Sequence, residues 1–65
     1  MYVISIDGKV FIHSITINND GTVDCDVTFD IDDALKIGDE LQAVRLKRLL
    51  MSIDGMVMFI IQEVE

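Results

Sequence analysis

Three turn signals divide this sequence: Asp7-Gly8, Asn18-Asn19-Asp20-Gly21 and Asp54-Gly55, each set between runs of β-branched and other apolar residues. Asp-Gly and Asn-Gly steps supply the positive φ angles that tight hairpins need, so alternating apolar segments around them predict antiparallel strands. The segments Ser5 to Ile12 and Ser52 to Ile60 share Ser-Ile-Asp-Gly. A four-residue match is too short for an internal repeat and reads as one turn chemistry used twice. With 65 residues the chain has room for one domain, residues 1–65.

Side-chain alternation fixes a register, because a slip of one residue turns every side chain to the opposite face. If Asn19-Asp20-Gly21 is a three-residue loop with Gly21 left-handed, Ile17 pairs with Val23, Ile15 with Cys25, His13 with Val27 and Phe11 with Phe29. A two-residue loop would set Ile17 against Asp24 and Ile15 against Asp26, burying carboxylates, so the longer loop is favoured. A two-residue turn at Asp7-Gly8 then places Ile4 opposite Phe11 and Tyr2 opposite His13. The first 29 residues therefore read as a three-stranded meander. Its inner face is Tyr2, Ile4, Phe11, His13, Ile15, Ile17, Val23, Cys25, Val27 and Phe29, which leaves Val3, Val10 and Ile12 on the outer face.

Asp30 is a candidate N-cap with acids in the following turn, predicting a short helix from Ile31 to Ile37. Residues 41–53 carry two competing signals. Their composition favours helix, yet Ile37, Leu41 and Val44 form a stripe that Arg48 breaks, while Leu46, Leu49, Leu50 and Ile53 form another. As a strand, the segment would pair through an Asp54-Gly55 hairpin, Leu50 with Phe59 and Met51 with Met58. The expected fold is thus mainly β with one short helix, in the order β-β-β-α-β-β, as a small antiparallel sheet or barrel. The alternative is α+β: the meander, one longer helix over about 31–52 and a final strand. Leu35, Ile37, Gly38, Asp39 and Leu41, within DDALKIGDELQAVRLKRL, resemble the approach to the fourth strand of S1-type oligonucleotide-binding barrels. The resemblance covers about the second half of the chain and implies a small barrel, with no binding residues carried over.

The composition is 51% hydrophobic with a formal net charge of -7, and a chain this short buries only about 60% of its unfolded surface. Some apolar surface is therefore expected to face a partner, and oligomerisation is the staple open to so small a scaffold. One Cys and one His supply neither a disulfide framework nor a structural zinc site. The N-terminus lacks a basic region followed by an apolar run, and the apolar stretch from Met56 to Ile61 is far too short to span a bilayer. The expected setting is cytoplasmic, the host cytoplasm if the chain is viral, with no membrane contact and a reduced thiol.

Asp24, Asp26 and Asp30 alternate along the third strand, followed closely by Asp32 and Asp33. Alternate strand residues lie about 6.7 Å apart, comparable to successive backbone phosphates. Residues 1–40 hold nine acids against two lysines. This patterning raises an acidic, nucleic-acid-like face that could occupy the basic groove of a nucleic-acid-binding enzyme; a solvated strand face is the plainer alternative. The basic cluster, Arg45, Lys47 and Arg48, is too small for a phosphate-binding footprint in so acidic a chain, which makes direct nucleic-acid binding unexpected. Charge pairing within the protomer or across an interface suits it better. No frame of the Asp-rich stretch satisfies a calcium-loop pattern, and no cofactor is implied.

His13 and Cys25 are the sole candidates for a nucleophile and base. In the expected register they lie diagonally, about 7 to 8 Å apart at the backbone, and no third group orients the His. An enzyme is therefore not expected. Met51, Met56 and Met58 surround the Asp54-Gly55 turn, where a long hairpin would outgrow a domain with a radius of gyration of about 11 Å. Met51, Ile53, Met56, Val57 and Met58, with Val3, Val10 and Ile12, are thus candidate apolar contacts. Together these features predict a small acidic, non-enzymatic protein-interaction module that associates with itself and with another protein. Its sharpest form is a viral or mobile-element inhibitor acting by acidic mimicry; the alternatives are a barrel for single-stranded nucleic acid or a small ligand, and a structural accessory subunit.

Overall fold

In a computed structural model that describes residues 1–53 and 55–64, the Asp7-Gly8 turn has both residues left-handed, with φ of 56° and 74°. It joins β1 (Tyr2–Ile6) to β2 (Val10–Ile17), and the Lys9 N–H donates to the Ile6 carbonyl at 3.1 Å. The ladder closes one residue later than a two-residue turn would set it, pairing Ile6 with Val10 and Ser5 with Phe11. The second turn joins β2 to β3 (Val23–Thr28) as expected. Gly21 is left-handed at φ 88°, the Asn18 N–H donates to the Thr22 carbonyl, and Ile17 pairs with Val23 and Ile15 with Cys25.

That register does not persist along β2. A bulge between Ile12 and Ser14, at His13, shifts the pairing to Ile12 with Val27 and Phe11 with Thr28. One extra residue reverses the alternation, so Ile12 lies on the core face where Phe11 and His13 were expected. Ile12 is 1% exposed. The bulge also receives the chain on its return: His13 Nδ1 hydrogen-bonds the Asp33 carbonyl at 2.7 Å, and the Leu35 N–H donates to the Ile12 carbonyl at 2.9 Å. Ile37 exchanges two backbone bonds with Tyr2, tying the same segment to β1.

Asp30 caps a 3-10 turn, Ile31–Asp33, accepting from the Asp32 N–H, where a helix to Ile37 was expected. The helix comes later, α1 (Glu40–Ile53), where the strand had been favoured. Asp39 starts it: its carboxylate accepts the Leu41 N–H and its carbonyl the Ala43 N–H, both at 3.0 Å. In the helix Ala43, Leu46 and Leu50 share one face. Ala43 and Leu50 are buried, and Leu46 is half-buried. In a strand the same residues would scatter over both sides, so helix propensity and one apolar stripe agree against alternation.

β4 (Phe59–Glu63) returns antiparallel to β1, pairing Ile6 with Phe59 and Ile4 with Ile61. Four strands form one open antiparallel sheet in the order β3-β2-β1-β4, with α1 over β1 and β4. The fold is small and β-rich, of the α+β type. The sheet has two free edges and does not close into a barrel, because β4 adds beside β1 and never reaches β3. The Asp54-Gly55 hairpin is replaced by a connection from α1 to β4; Asp54 itself lies outside the described residues.

Ile4, Ile12, Ile37, Ala43, Leu50 and Phe59 make the core between α1 and the sheet. Fully burying one such aliphatic side chain contributes about 1.5 to 3 kcal/mol. Val3 and Ser5 alternate with Ile4 and face away from α1, yet both are fully buried in the central strand. Val3 and Ile12, expected as exposed contacts, are thus core residues, and Val10 is half-buried.

Candidate interaction surface

The apolar surface expected around the third turn exists, but α1 and the connection to β4 build it in place of a hairpin. Met51 and Ile53 project from the last turns of α1 and are about half exposed, while Met56 and Met58 flank Val57 and are more exposed still. Val57 lines an apolar cleft of about 220 Å³ together with Ile6, Cys25, Leu50, Ile53 and Phe59. The cleft takes one residue or more from β1, β3, α1, the connection and β4. Cys25, Ile6, Leu50 and Phe59 belong to it without having been singled out as contacts. The register signal for Cys25 was present, since its pairing with Ile15 put it on the inner face.

From Cys25 the apolar face continues along β2 and β3. Ile12 pairs with Val27, Ile15 with Cys25 and Ile17 with Val23, so these side chains share the face that α1 covers elsewhere. Ile12 is buried and Ile15 packs on the core, but the face is open at Ile17, 67% exposed, and at Val27, 49% exposed.

The opposite face of β3 is acidic. Asp24 Oδ2 accepts from Asn18 Nδ2 at 2.9 Å, and Asp26 Oδ2 accepts from Ser14 Oγ at 3.1 Å. β3 ends at Thr28, so Asp30 is off the strand as the 3-10 cap, with Asp32 and Asp33 in that turn. The expected row of three strand carboxylates is a row of two. In the β2–β3 loop, Asp20 Oδ1 accepts from the Thr22 hydroxyl at 2.7 Å and from its N–H at 3.0 Å. These bonds, the hydroxyl foremost, hold the Asp20 carboxyl below its ordinary pKa of 3.8.

Arg45 and Arg48 are exposed on the outer side of α1, and Lys47 is half-buried. Among the described residues none of the three forms an ion pair, so the expected pairing with the Asp-rich strand is not made inside the chain. The His13 ring bonds the Asp33 carbonyl, and Cys25 is a free, exposed thiol. Among the described residues no three His, Cys, Asp or Glu side chains gather as a metal site. No described helix is long and apolar enough to cross a membrane.

No protein-family model, curated protein or solved structure matches the chain. Its class therefore rests on its own architecture: a four-stranded open sheet with one helix and a continuous apolar tract from the β2–β3 ribbon to the end of α1.

Proposed function

We propose that the chain is a non-enzymatic protein-interaction module that docks its partner on the apolar tract. The observation that carries this is the cleft and its surroundings: an apolar recess bordered by exposed Ile53 and adjoining exposed Met58, in a protein of net charge -7. Exposed apolar tracts rimmed by polar surface mark interaction sites. At about 220 Å³ the cleft falls below the roughly 300 to 1,000 Å³ of small-molecule sites, and it suits a single anchoring aromatic or aliphatic side chain. The unbranched Met side chains adapt to the shape of such an anchor. Asp24 and Asp26 keep the outer face of the ribbon solvated and the chain soluble in this account.

The test is affinity capture from extracts of the cells that make the chain, comparing the wild type with Ile53→Ser plus Met58→Ser. Both residues are exposed, so the fold survives the change. The expected result is at least one polypeptide retained by the wild type and lost from the variant. Equal retention by both, or capture that depends on Asp24 and Asp26 instead, contradicts the proposal.

A further inference from the structure

Beyond the His13 bulge, Ser14 to Ile17 of β2 pair with Val23 to Asp26 of β3. The β1–β2 ladder ends at Ser5 and Phe11, and α1 lies over β1 and β4. The end of the ribbon is thus two-stranded, held to the core by Ile15 and bordering the cleft at Cys25, and a two-stranded end gains stability when the rest of its apolar face is covered. The face is there to be covered: Ile17 and Val27 are half to two-thirds exposed, and Cys25 is exposed between them.

We propose that the cover is the same ribbon end of a second copy, packed face to face about a two-fold axis with Ile17, Val23, Cys25 and Val27 of each chain in the seam. This names one partner for the apolar tract and rests on the interaction reading above. Charge is the first reason. Two copies of net charge -7 repel, which opposes contact between their acidic faces and favours a face free of ionised groups. The apolar side of the ribbon end is such a face, and Asp24 and Asp26 point the other way, to the outside of the pair. Area is the second. The four seam residues with Ile53 and Met58, at about 100 Å² each, supply on the order of 600 Å² per copy, close to the roughly 800 Å² per partner of a stable complex. The third is the edge. Asp24 and Asp26 oppose strand-to-strand addition at the β3 edge, so contact through this ribbon is by its face. An isologous contact uses the same patch twice, which this geometry satisfies.

Sedimentation equilibrium, with cross-linking of the single thiol Cys25 by a short bismaleimide, tests the proposal. The wild type is expected at twice the chain mass and cross-linked through Cys25. Val27→Asp and Ile17→Asp, each at an exposed position, are expected to weaken association at least tenfold with an unchanged circular dichroism spectrum. Asp24→Asn with Asp26→Asn, on the outer face, is expected to leave it intact or tighten it. A monomer at several hundred micromolar, or a dimer indifferent to both Asp variants, overturns the self-contact. If such a monomer still captures a partner through Ile53 and Met58, the self-contact alone fails; if it captures nothing, both proposals fail.

Discussion

Asp20 and Ser5 are opposite cases of a polar side chain in a small sheet. Asp20 sits in the loop with two bonds from Thr22, and its carboxyl is held below 3.8. A depressed carboxyl stabilises the fold above the unfolded pKa, and that contribution fades as the pH falls through the folded one. Thr22→Val removes the hydroxyl donor, so the Asp20 pKa is expected to move up toward 3.8 in a carboxyl-detected NMR titration; an unmoved midpoint would show that the backbone bond alone sets it. Ser5 is fully buried, and its hydroxyl has no hydrogen-bond partner among the described residues. Leaving a buried hydroxyl unmade costs about 1 to 3 kcal/mol, so Ser5→Ala is expected to raise the urea midpoint by about 1 kcal/mol of stability. A loss of stability would mean that the hydroxyl is bonded after all. Of these two residues the turn chemistry of Asp20 could be read in the sequence. The burial of Ser5 could not, because a Ser in an alternating strand marks a solvent face unless neighbouring strands wall it in.

At the scale of elements, legibility followed the strength of the local signal. The loop around Asp20-Gly21 and the pairing next to it were readable, since Gly21 needs positive φ and the alternative register buried two carboxylates. The bulge at His13 was not, as a polar residue in a strand does not announce an inserted position; missing it sent Ile12 to the wrong face. The helix was obscured by treating Ala43 as a spacer. Counted as a contact, Ala43 completes the stripe with Leu46 and Leu50, and Asp39 is its cap. The helix makes a clear prediction. Leu50→Ala is expected to cost about 2 to 5 kcal/mol by chemical denaturation, and Leu41→Ala, at an exposed position of the first turn, under 1 kcal/mol. Equal costs would contradict the placement of α1 on the sheet.

For the whole molecule, one helix over a four-stranded sheet leaves apolar surface uncovered at one end. The extents of 35 × 22 × 18 Å describe an elongated body, and on its β2–β3 ribbon Ile17 and Val27 remain exposed. The expectation of a partner, drawn from apolar excess and charge, located the exposed Met cluster. It missed the exposed end of the ribbon, because the inner face of β2 and β3, Ile17 and Val27 included, was expected to be covered. Acids and apolar residues occupy opposite faces of β3, so the chain offers two very different surfaces and only one of them is expected to bind. The direct measurement is photo-cross-linking in the producing cells, with a benzophenone side chain placed in turn at Ile17, Asp26, Arg45 and Met58. Adducts with another polypeptide or with the chain itself from Ile17 and Met58, and none from Asp26 or Arg45, are the predicted result. Adducts from Asp26 with none from Ile17 or Met58 would contradict it and make the acidic face the binding surface.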